Sequence, residues 1–198
     1  MVMAGERDNW DVFTQEWNLT ISRSQGGIIM QLSDFISEKL IVLELDAQDK
    51  AEAFRTLVTR MARYHAITKP EVFLNEIMTR EAIEPTCMGR GVAFPHTRTL
   101  CVNQPVIAIG RARRGIPFTA KESDNVQLIF VMGTPKEDSA TYLQILSRLC
   151  RLLRQTRFRE RLLTAATPGE VLDLFDEYDA PAVEHVQPER AFVPAMAH

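Results

Sequence analysis

The segment GRGVAFPHTRT, residues 89–99, contains the histidine whose surroundings are best suited to chemistry. His96 follows two glycines, Gly89 and Gly91, and comes directly after Pro95. Glycine allows backbone N–H groups to approach an anion closely, as they do in phosphate-binding loops. Proline restricts the chain that enters the histidine, and so lowers the entropy cost of holding the imidazole in place. The segment therefore predicts a histidine in a loop, held beside a bound anion.

Arg80 precedes this segment, and Arg90 lies within it between the two glycines. A guanidinium group matches the oxygen geometry of a phosphoryl group and always carries its charge. An imidazole with a pKa near ~6.5 is largely neutral at pH 7, and its free nitrogen can act as a nucleophile. We therefore interpret His96 as the candidate site of a transient phosphohistidine.

Other catalytic chemistries lack their residues in this sequence. There is no Walker-type loop, dinucleotide-binding fingerprint or Ser-His-Asp spacing. The three cysteines, Cys87, Cys101 and Cys150, are widely spaced and form no CxxC pair, so neither a zinc site nor a disulfide framework is expected. No metal and no cofactor are predicted. Free thiols, and a first segment that does not resemble a secretory signal, favour the cytoplasm.

The composition is that of an ordinary soluble globular protein, with 198 residues of which 45% are hydrophobic and 25% are charged. The net charge is −3, but residues 31–179 contain 20 acidic and 20 basic side chains and are neutral. This balance gives no reason to expect a nucleic-acid partner. No run approaches 18 uninterrupted apolar residues, so no stable membrane insertion is expected.

Hydrophobic periodicity predicts the elements that position His96. A short helix is expected over Asp34–Lys39, followed by a strand over residues 40–45. Asp49 is the expected N-cap of a helix over about residues 50–65. Pro70 is expected in the first turn of a second helix, over about residues 70–81, that buries its apolar residues, among them Val72, Phe73 and Ile77.

The second half of the chain alternates strands and helices differently. Residues 84–99 are predicted as loop, short strand and loop, and two further strands are predicted over residues 104–113 and 125–133. GIPF, residues 115–118, is interpreted as a small hairpin piece. From about residue 138 to 178 the pattern is helical, and Pro168 opens the last helix.

This order of elements predicts a single α/β domain, a three-layer α/β/α sandwich around a central mixed sheet. The domain is expected over residues 31–179. Residues 1–30 are interpreted as an N-terminal extension, in which Trp10, Phe13 and Trp17 suit one face of a short amphipathic helix. Residues 180–198 are rich in proline and alanine, which is typical of a disordered tail.

The residues around His96 also resemble a known family, enzyme IIA of the bacterial phosphotransferase system. The branch is the fructose/mannitol type, which includes the nitrogen-regulatory enzyme IIA. The resemblance extends over about residues 31–178. It is carried by Thr79-Arg80-Glu81, by Thr86, and by Gly89-Arg90-Gly91-Val92-Ala93-Phe94-Pro95-His96.

The resemblance implies a phosphoryl relay. Members accept a phosphoryl group from the phosphorylated histidine carrier protein on the motif histidine, here His96. Arg80 matches the family arginine beside the phosphohistidine. At Gly89 and Gly91 the backbone is expected to approach the phosphoryl group closely. Thr86 and Arg90 are further candidates for phosphate contact. The resemblance suggests Nε2 as the phosphorylated nitrogen.

One position departs from the family pattern. Many members have a second histidine at the start of the helix after the buried strand, where this chain has Tyr142 followed by Leu143. A phenol can donate a hydrogen bond to a phosphoryl oxygen but does not carry the positive charge of a protonated imidazole. A core-facing aromatic side chain on the helix is the simpler interpretation of Tyr142.

Three functions are compatible with these observations. The first is a regulatory, nitrogen-type enzyme IIA with a regulatory protein as its target. The second is a stand-alone fructose/mannitol-type IIA that passes the phosphoryl group to an enzyme IIB cysteine for sugar uptake. The third is a protein-interaction module that works independently of phosphorylation.

A run of arginines marks the C-terminal helices, and in the simplest interpretation it forms a solvated face. An acidic partner docked on this run, or a nucleic acid, is the alternative. The arginines are Arg148, Arg151, Arg154, Arg157, Arg159 and Arg161.

Overall fold

The computed structural model describes residues 30–119 and 125–179. The expected N-terminal extension, including its aromatic residues, lies outside the described residues except for Met30, as does the expected C-terminal tail. Within the described residues, no helix is long and apolar enough to cross a membrane.

A mixed six-stranded sheet forms the centre of the domain. Its strand order is β1-β5-β6-β3-β2. In addition, β4 pairs with β6, closer to the C-terminal end of β6 than β3 does. The β1–β5, β3–β6 and β4–β6 pairs are parallel, whereas β5–β6 and β2–β3 are antiparallel. The strands are β1 (Ile36–Val42), β2 (Cys87–Gly89), β3 (Val92–Ala93), β4 (His96–Thr99), β5 (Val106–Pro117) and β6 (Asn125–Pro135).

In the part of the chain that the structure describes, five α-helices cover the two faces of this sheet. They are α1 (Lys50–Arg63), α2 (Pro70–Ile83), α3 (Ser139–Arg154), α4 (Thr156–Thr164) and α5 (Pro168–Asp179). Apolar residues of α1 and α2 form one buried core with one face of the sheet, and those of α3, α4 and α5 form a second core with the other. This confirms the predicted three-layer α/β/α fold.

Local signals set most helix starts. The Asp49 carboxylate accepts a hydrogen bond of 2.8 Å from the Glu52 backbone N–H at the start of α1. Asp138 caps α3 in the same way, accepting from the Thr141 N–H at 3.0 Å. Proline occupies the first position of α2 and of α5, where the missing N–H costs no hydrogen bond.

The predicted helix over Asp34–Lys39 is wrong. A short 3-10 turn, Leu32–Phe35, leads directly into β1, which begins at Ile36 and ends at Val42. Ile36 is buried and pairs with Ile107 of β5. Because sheet pairing and burial outweigh a local cap, this segment is extended.

Two further predictions on the elements need correction. GIPF is not a separate hairpin piece, because β5 continues through it to Pro117, with an irregularity between Arg111 and Ile116. Gly115 has a φ of +74°, which suits glycine at this irregularity. Val72 of α2 was expected in the core but is 47% exposed, whereas Phe73 and Ile77 are buried.

The interpretation of the arginine run as a solvated face holds only in part. Arg151, Arg154 and Arg157 are exposed, whereas other arginines of the run bond groups inside the molecule. Arg148 donates from Nε to the buried Asp179 carboxylate at 2.9 Å, and also bonds the Met30 carbonyl oxygen. Arg151 contacts the same carboxylate at 3.3 Å. Arg159 donates to the Leu153 and Arg154 carbonyl oxygens at the end of α3. Arg161 pairs with Glu177.

Asp179 ties the first described turn to α3 and α5. One of its oxygens also accepts a hydrogen bond of 2.8 Å from the Leu32 N–H, and its side chain is 1% exposed. Breaking a buried, hydrogen-bonded ion pair leaves charged and polar partners without compensation.

We therefore expect Asp179→Ala to lower the free energy of unfolding by about 2–4 kcal/mol. Asp176→Ala, at an exposed position of the same helix, should change it by less than about 0.5 kcal/mol. Urea unfolding followed by circular dichroism measures both. Equal stability of the two variants would show that the hydrogen bonds and ion pairs of Asp179 do not stabilise the fold.

Candidate active site

His96 is the first residue of β4 and lies opposite Met132 of β6. Its side chain is 4% exposed, so the expected position in an open loop is corrected. Within the described residues β4 pairs with β6 alone, which puts His96 at an edge of the sheet. There the C-terminal end of α2 and the first turn of α3 converge on it.

A backbone carbonyl orients the imidazole. The Phe94 oxygen lies 2.7 Å from Nδ1 of His96. A carbonyl oxygen can only accept, so Nδ1 must carry the hydrogen. In the neutral ring the lone pair is then on Nε2, which makes Nε2 the nucleophilic nitrogen.

Two aromatic rings enclose the imidazole. The ring centroid of Phe94 lies 5.3 Å from that of His96, and the ring centroid of Tyr142 lies 5.7 Å from it. The pKa of His96 is lowered to about 4, mainly by burial and to a smaller extent by the charge of Arg80. The Phe94 carbonyl and Glu84 act in the opposite direction but do not outweigh burial. His96 is therefore neutral at pH 7.

Arg80 lies in the last turn of α2 and supplies positive charge to the site. Its guanidinium donates from Nη1 to the Glu84 carbonyl oxygen at 2.9 Å, and Nη2 lies 3.3 Å from the Glu84 carboxylate. Its charge acts on both His96 and Tyr142, lowering the pKa of each. The structure thus brings Arg80, His96 and Tyr142 together.

Tyr142 lies in the first turn of α3 and is half-buried. Burial raises the pKa of its phenol, and this effect outweighs the charges of Arg80 and Arg98. The phenol is therefore protonated at neutral pH and available as a hydrogen-bond donor. Its ring packs on His96 as well as against the core, so the interpretation as a core aromatic is incomplete.

Thr86 is held by Glu81, a buried residue that the sequence did not single out for chemistry. The Glu81 carboxylate accepts from the Thr86 N–H at 2.9 Å and from its hydroxyl at 2.6 Å. Lys50 lies 3.6 Å from the other oxygen of Glu81. A hydroxyl has one hydrogen, and here it is donated to Glu81, so Thr86 serves to fix the chain between α2 and β2.

The two glycines form a turn that the structure does not bring to His96. Gly89, Arg90 and Gly91 have φ values of +79°, +56° and +75° and join β2 to β3. The Gly91 oxygen accepts from Gln127 and Leu128 of β6. His96 lies opposite Met132, four residues beyond Leu128.

Four residues of extended strand span about 13 Å. The glycine turn therefore lies at the opposite end of the edge segment from the imidazole, and it serves the hairpin between β2 and β3. Arg90 lies at this turn and acts electrostatically on Arg159 of α4. The expected loop is replaced by three short strands, β2, β3 and β4.

Arg98 is a residue of this site that the sequence did not predict. It lies two residues after His96 in β4, so both side chains point to the same face of the strand. The Arg98 guanidinium lies 5.7 Å from the centroid of the Tyr142 ring and bonds the Ser139 hydroxyl. The two-residue spacing of the HTR sequence was the signal that could have found it.

Residues 30–119 and 125–179 contain no cluster of three or more histidine, cysteine or acidic side chains that could hold a metal ion. Cys87, Cys101 and Cys150 are buried and form no disulfide bond. The groups that the structure brings together at His96 are a nucleophilic nitrogen, a guanidinium and a phenol.

Comparison with known proteins identifies the family. The family model for the phosphoenolpyruvate-dependent sugar phosphotransferase system, EIIA 2, matches residues 34–178. The chain belongs to this family. Members are phosphotransferases that take part in a phosphoryl relay, either as fructose/mannitol-type EIIA proteins or as nitrogen-regulatory IIA proteins.

Relatives of this EIIA chain fall on both branches. It is 30% identical over 149 residues to the fructose-specific EIIA component of Haloferax volcanii, covering 75% of this chain and 97% of the relative. The crystal structure of the nitrogen regulatory protein IIA-Ntr from Neisseria meningitidis matches with a TM-score of 0.68 and 27% identity. That match covers 73% of this chain and 98% of the other.

Some relatives are much longer. The chain is 27% identical over 150 residues to the fructose-specific EIIABC component of Bacillus subtilis, and the match includes 76% of this chain. It spans 24% of the length of that relative.

The geometry of His96 predicts its titration in this EIIA chain. We expect the imidazole to titrate with a pKa of about 4, with the neutral ring protonated on Nδ1. Long-range ¹H–¹⁵N correlation spectra of the histidine rings measure both the midpoint and the tautomer. A midpoint near ~6.5, or a proton on Nε2, would contradict the geometry described above.

The same pKa predicts how stability depends on pH. Between about pH 6.5, where the unfolded histidine titrates, and about pH 4, the unfolded chain binds one more proton at this position than the native chain. Lowering the pH through this window therefore costs up to about 3 kcal/mol through His96. In urea unfolding at pH 7 and pH 4.5, His96→Gln should reduce the loss of stability relative to wild type.

Proposed function

We propose that the chain is a cytoplasmic phosphocarrier that accepts a phosphoryl group on Nε2 of His96 from the phosphorylated histidine carrier protein. We further propose that it acts in a regulatory, nitrogen-type role, in which the phosphorylation state of His96 controls binding to a protein target.

The observation that carries this proposal is the hydrogen bond from Nδ1 of His96 to the Phe94 carbonyl oxygen, 2.7 Å long. It selects the tautomer whose lone pair is on Nε2, and it fixes the ring plane. Phosphoryl transfer depends mainly on positioning and charge neutralisation, because its transition state is loose. An oriented imidazole beside a guanidinium provides both.

The transfer balances without loss of a proton from the buried ring. The Nε2 lone pair attacks phosphorus, the N–P bond of the donor phosphohistidine breaks, and its electron pair returns to the donor imidazole. The hydrogen stays on Nδ1, where it is donated to the Phe94 carbonyl oxygen, so the new phosphoimidazole ring carries a positive charge. A positively charged ring is a good leaving group, which keeps the transfer reversible.

Arg80 and Tyr142 are the groups proposed to contact the phosphoryl oxygens. The Arg80 guanidinium already affects the pKa values of both His96 and Tyr142, which supports its place beside the transferred group. The Arg80 guanidinium can exchange its ion pair with Glu84 for one with the phosphoryl group. The protonated phenol of Tyr142 adds a neutral donor.

Tyr142 supports the regulatory role over sugar transport. Passing the phosphoryl group on to a cysteine benefits from a side chain that can change its charge during transfer. Tyr142 lies where many family members have a histidine, and burial raises the pKa of its phenol, so it stays neutral. The similarity to nitrogen regulatory IIA-Ntr is consistent with this role.

A stand-alone fructose/mannitol-type IIA is the second candidate. The 30% identity to a fructose-specific EIIA component favours it. In that role an enzyme IIB cysteine is the acceptor, and Arg80 with Tyr142 would only need to hold the group until transfer. No nucleic-acid partner and no membrane insertion are proposed for either role.

Incubation with phosphoenolpyruvate, the general phosphotransferase enzyme and the histidine carrier protein should add one phosphoryl group to the chain. Intact-mass spectrometry measures it, and peptide mapping should locate it on His96. His96→Ala should abolish labelling. His65→Asn is the matched control, because His65 has a φ of +56°, which asparagine tolerates, and lies outside the site.

The two roles separate in a second assay. For the regulatory role, the labelled chain should retain its phosphoryl group when mixed with a fructose- or mannitol-type enzyme IIB, and partner binding should differ between wild type and His96→Asp. Rapid transfer to the IIB cysteine would support the transport role. If wild type is not labelled at all, the phosphocarrier proposal fails. Identical partner binding by wild type, His96→Ala and His96→Asp would favour an interaction module.

A further inference from the structure

Arg98 belongs to the same face as the proposed acceptor nitrogen. His96 and Arg98 are the first and third residues of β4, so their Cα atoms lie about 7 Å apart on one side of the strand. Both side chains contact the Tyr142 ring, whose centroid lies 5.7 Å from the His96 ring centroid and 5.7 Å from the Arg98 guanidinium carbon. Tyr142 therefore connects the two.

The charge of Arg98 is not compensated by a carboxylate among the residues that the structure describes. Its contacts there are the Ser139 hydroxyl and the Tyr142 ring, which are both neutral. Arg80 differs, because its guanidinium is 3.3 Å from the Glu84 carboxylate. Even when Arg80 leaves Glu84 for the phosphoryl group, its single positive charge only partly balances a dianion.

The surroundings of His96 make a second cation valuable. The imidazole is 4% exposed, and water can reach it only poorly. A dianionic phosphoryl group placed there loses part of its hydration and needs positive charge and donors in return. A guanidinium supplies both, with a planar set of N–H groups that matches phosphoryl oxygens.

Resting on the phosphocarrier function proposed above, we propose that Arg98 binds the phosphoryl group on His96 together with Tyr142. Arg98 supplies the permanent positive charge that the phenol lacks, and the Tyr142 ring and the Ser139 hydroxyl hold its guanidinium in place. Because this charge does not titrate, the pair stabilises the phosphorylated state rather than helping the group to leave. That property suits a chain whose phosphorylation state is a signal.

The phosphotransfer equilibrium between the histidine carrier protein and this chain tests the inference. At equilibrium the ratio of the two phosphorylated proteins depends on the stability of each phosphohistidine and not on how tightly the proteins dock. We expect Arg98→Gln to shift this ratio about three- to tenfold towards the carrier. Arg98→Lys, which keeps the charge but loses the planar fork, should recover part of the shift.

Two further variants complete the design. Arg113→Gln makes the same change in net charge at an exposed residue of β5, far along the sheet from His96, and should leave the ratio unchanged. Tyr142→Phe keeps the ring on which Arg98 rests and removes only the hydroxyl. It should shift the ratio less than Arg98→Gln. Phosphorylated fractions are read by intact mass, and circular dichroism verifies folding.

The outcomes are distinct. If wild type is labelled on His96 and Arg98→Gln has the wild-type ratio, the role of Arg98 is refuted while the phosphocarrier function stands. A shift of equal size in Arg113→Gln would attribute the effect to overall charge and also refute it. If wild type accepts no phosphoryl group on His96, the underlying function itself is refuted.

Discussion

The site depends on one hydrogen bond between an imidazole and the backbone. The Phe94 carbonyl oxygen holds the hydrogen on Nδ1 of His96 and so leaves a lone pair on Nε2. Because the donor and acceptor are only two residues apart, the geometry is set by the path of the chain through Pro95. That path is fixed in turn by β6, whose Met132 N–H donates to the Pro95 oxygen at 2.9 Å. The reactive nitrogen is thus oriented by the sheet itself.

Burial and charge act against each other at this position. Burial keeps the unmodified imidazole neutral, with a pKa of about 4, and so keeps it nucleophilic. The same burial penalises the phosphoryl dianion that the ring is proposed to carry. The elements that surround His96 meet both needs, because the end of α2 brings Arg80, and the start of α3 brings Tyr142 over the ring.

Local signals were the part of the structure that the sequence could predict. Asp49 and Pro70 mark helix starts because capping and proline geometry act within one turn. The start of β1 at Ile36 was missed because it depends on pairing with a strand far along the chain. The glycine turn was assigned to the phosphate because it is close to His96 in sequence, but extended chain carries it about 13 Å away. The Phe94 carbonyl has no side-chain signature, so no pattern could reveal it.

The contacts of Asp179 and Arg148 affect how this fold can be joined to further sequence in a longer polypeptide. Arg148 bonds both Met30 and Asp179, so the first and last residues that the structure describes lie close together. A domain whose two ends adjoin can be spliced into a longer polypeptide as a cassette, because its host needs to bridge only a narrow gap. The much longer EIIABC relative, of which this chain spans 24%, joins a matching region to additional sequence.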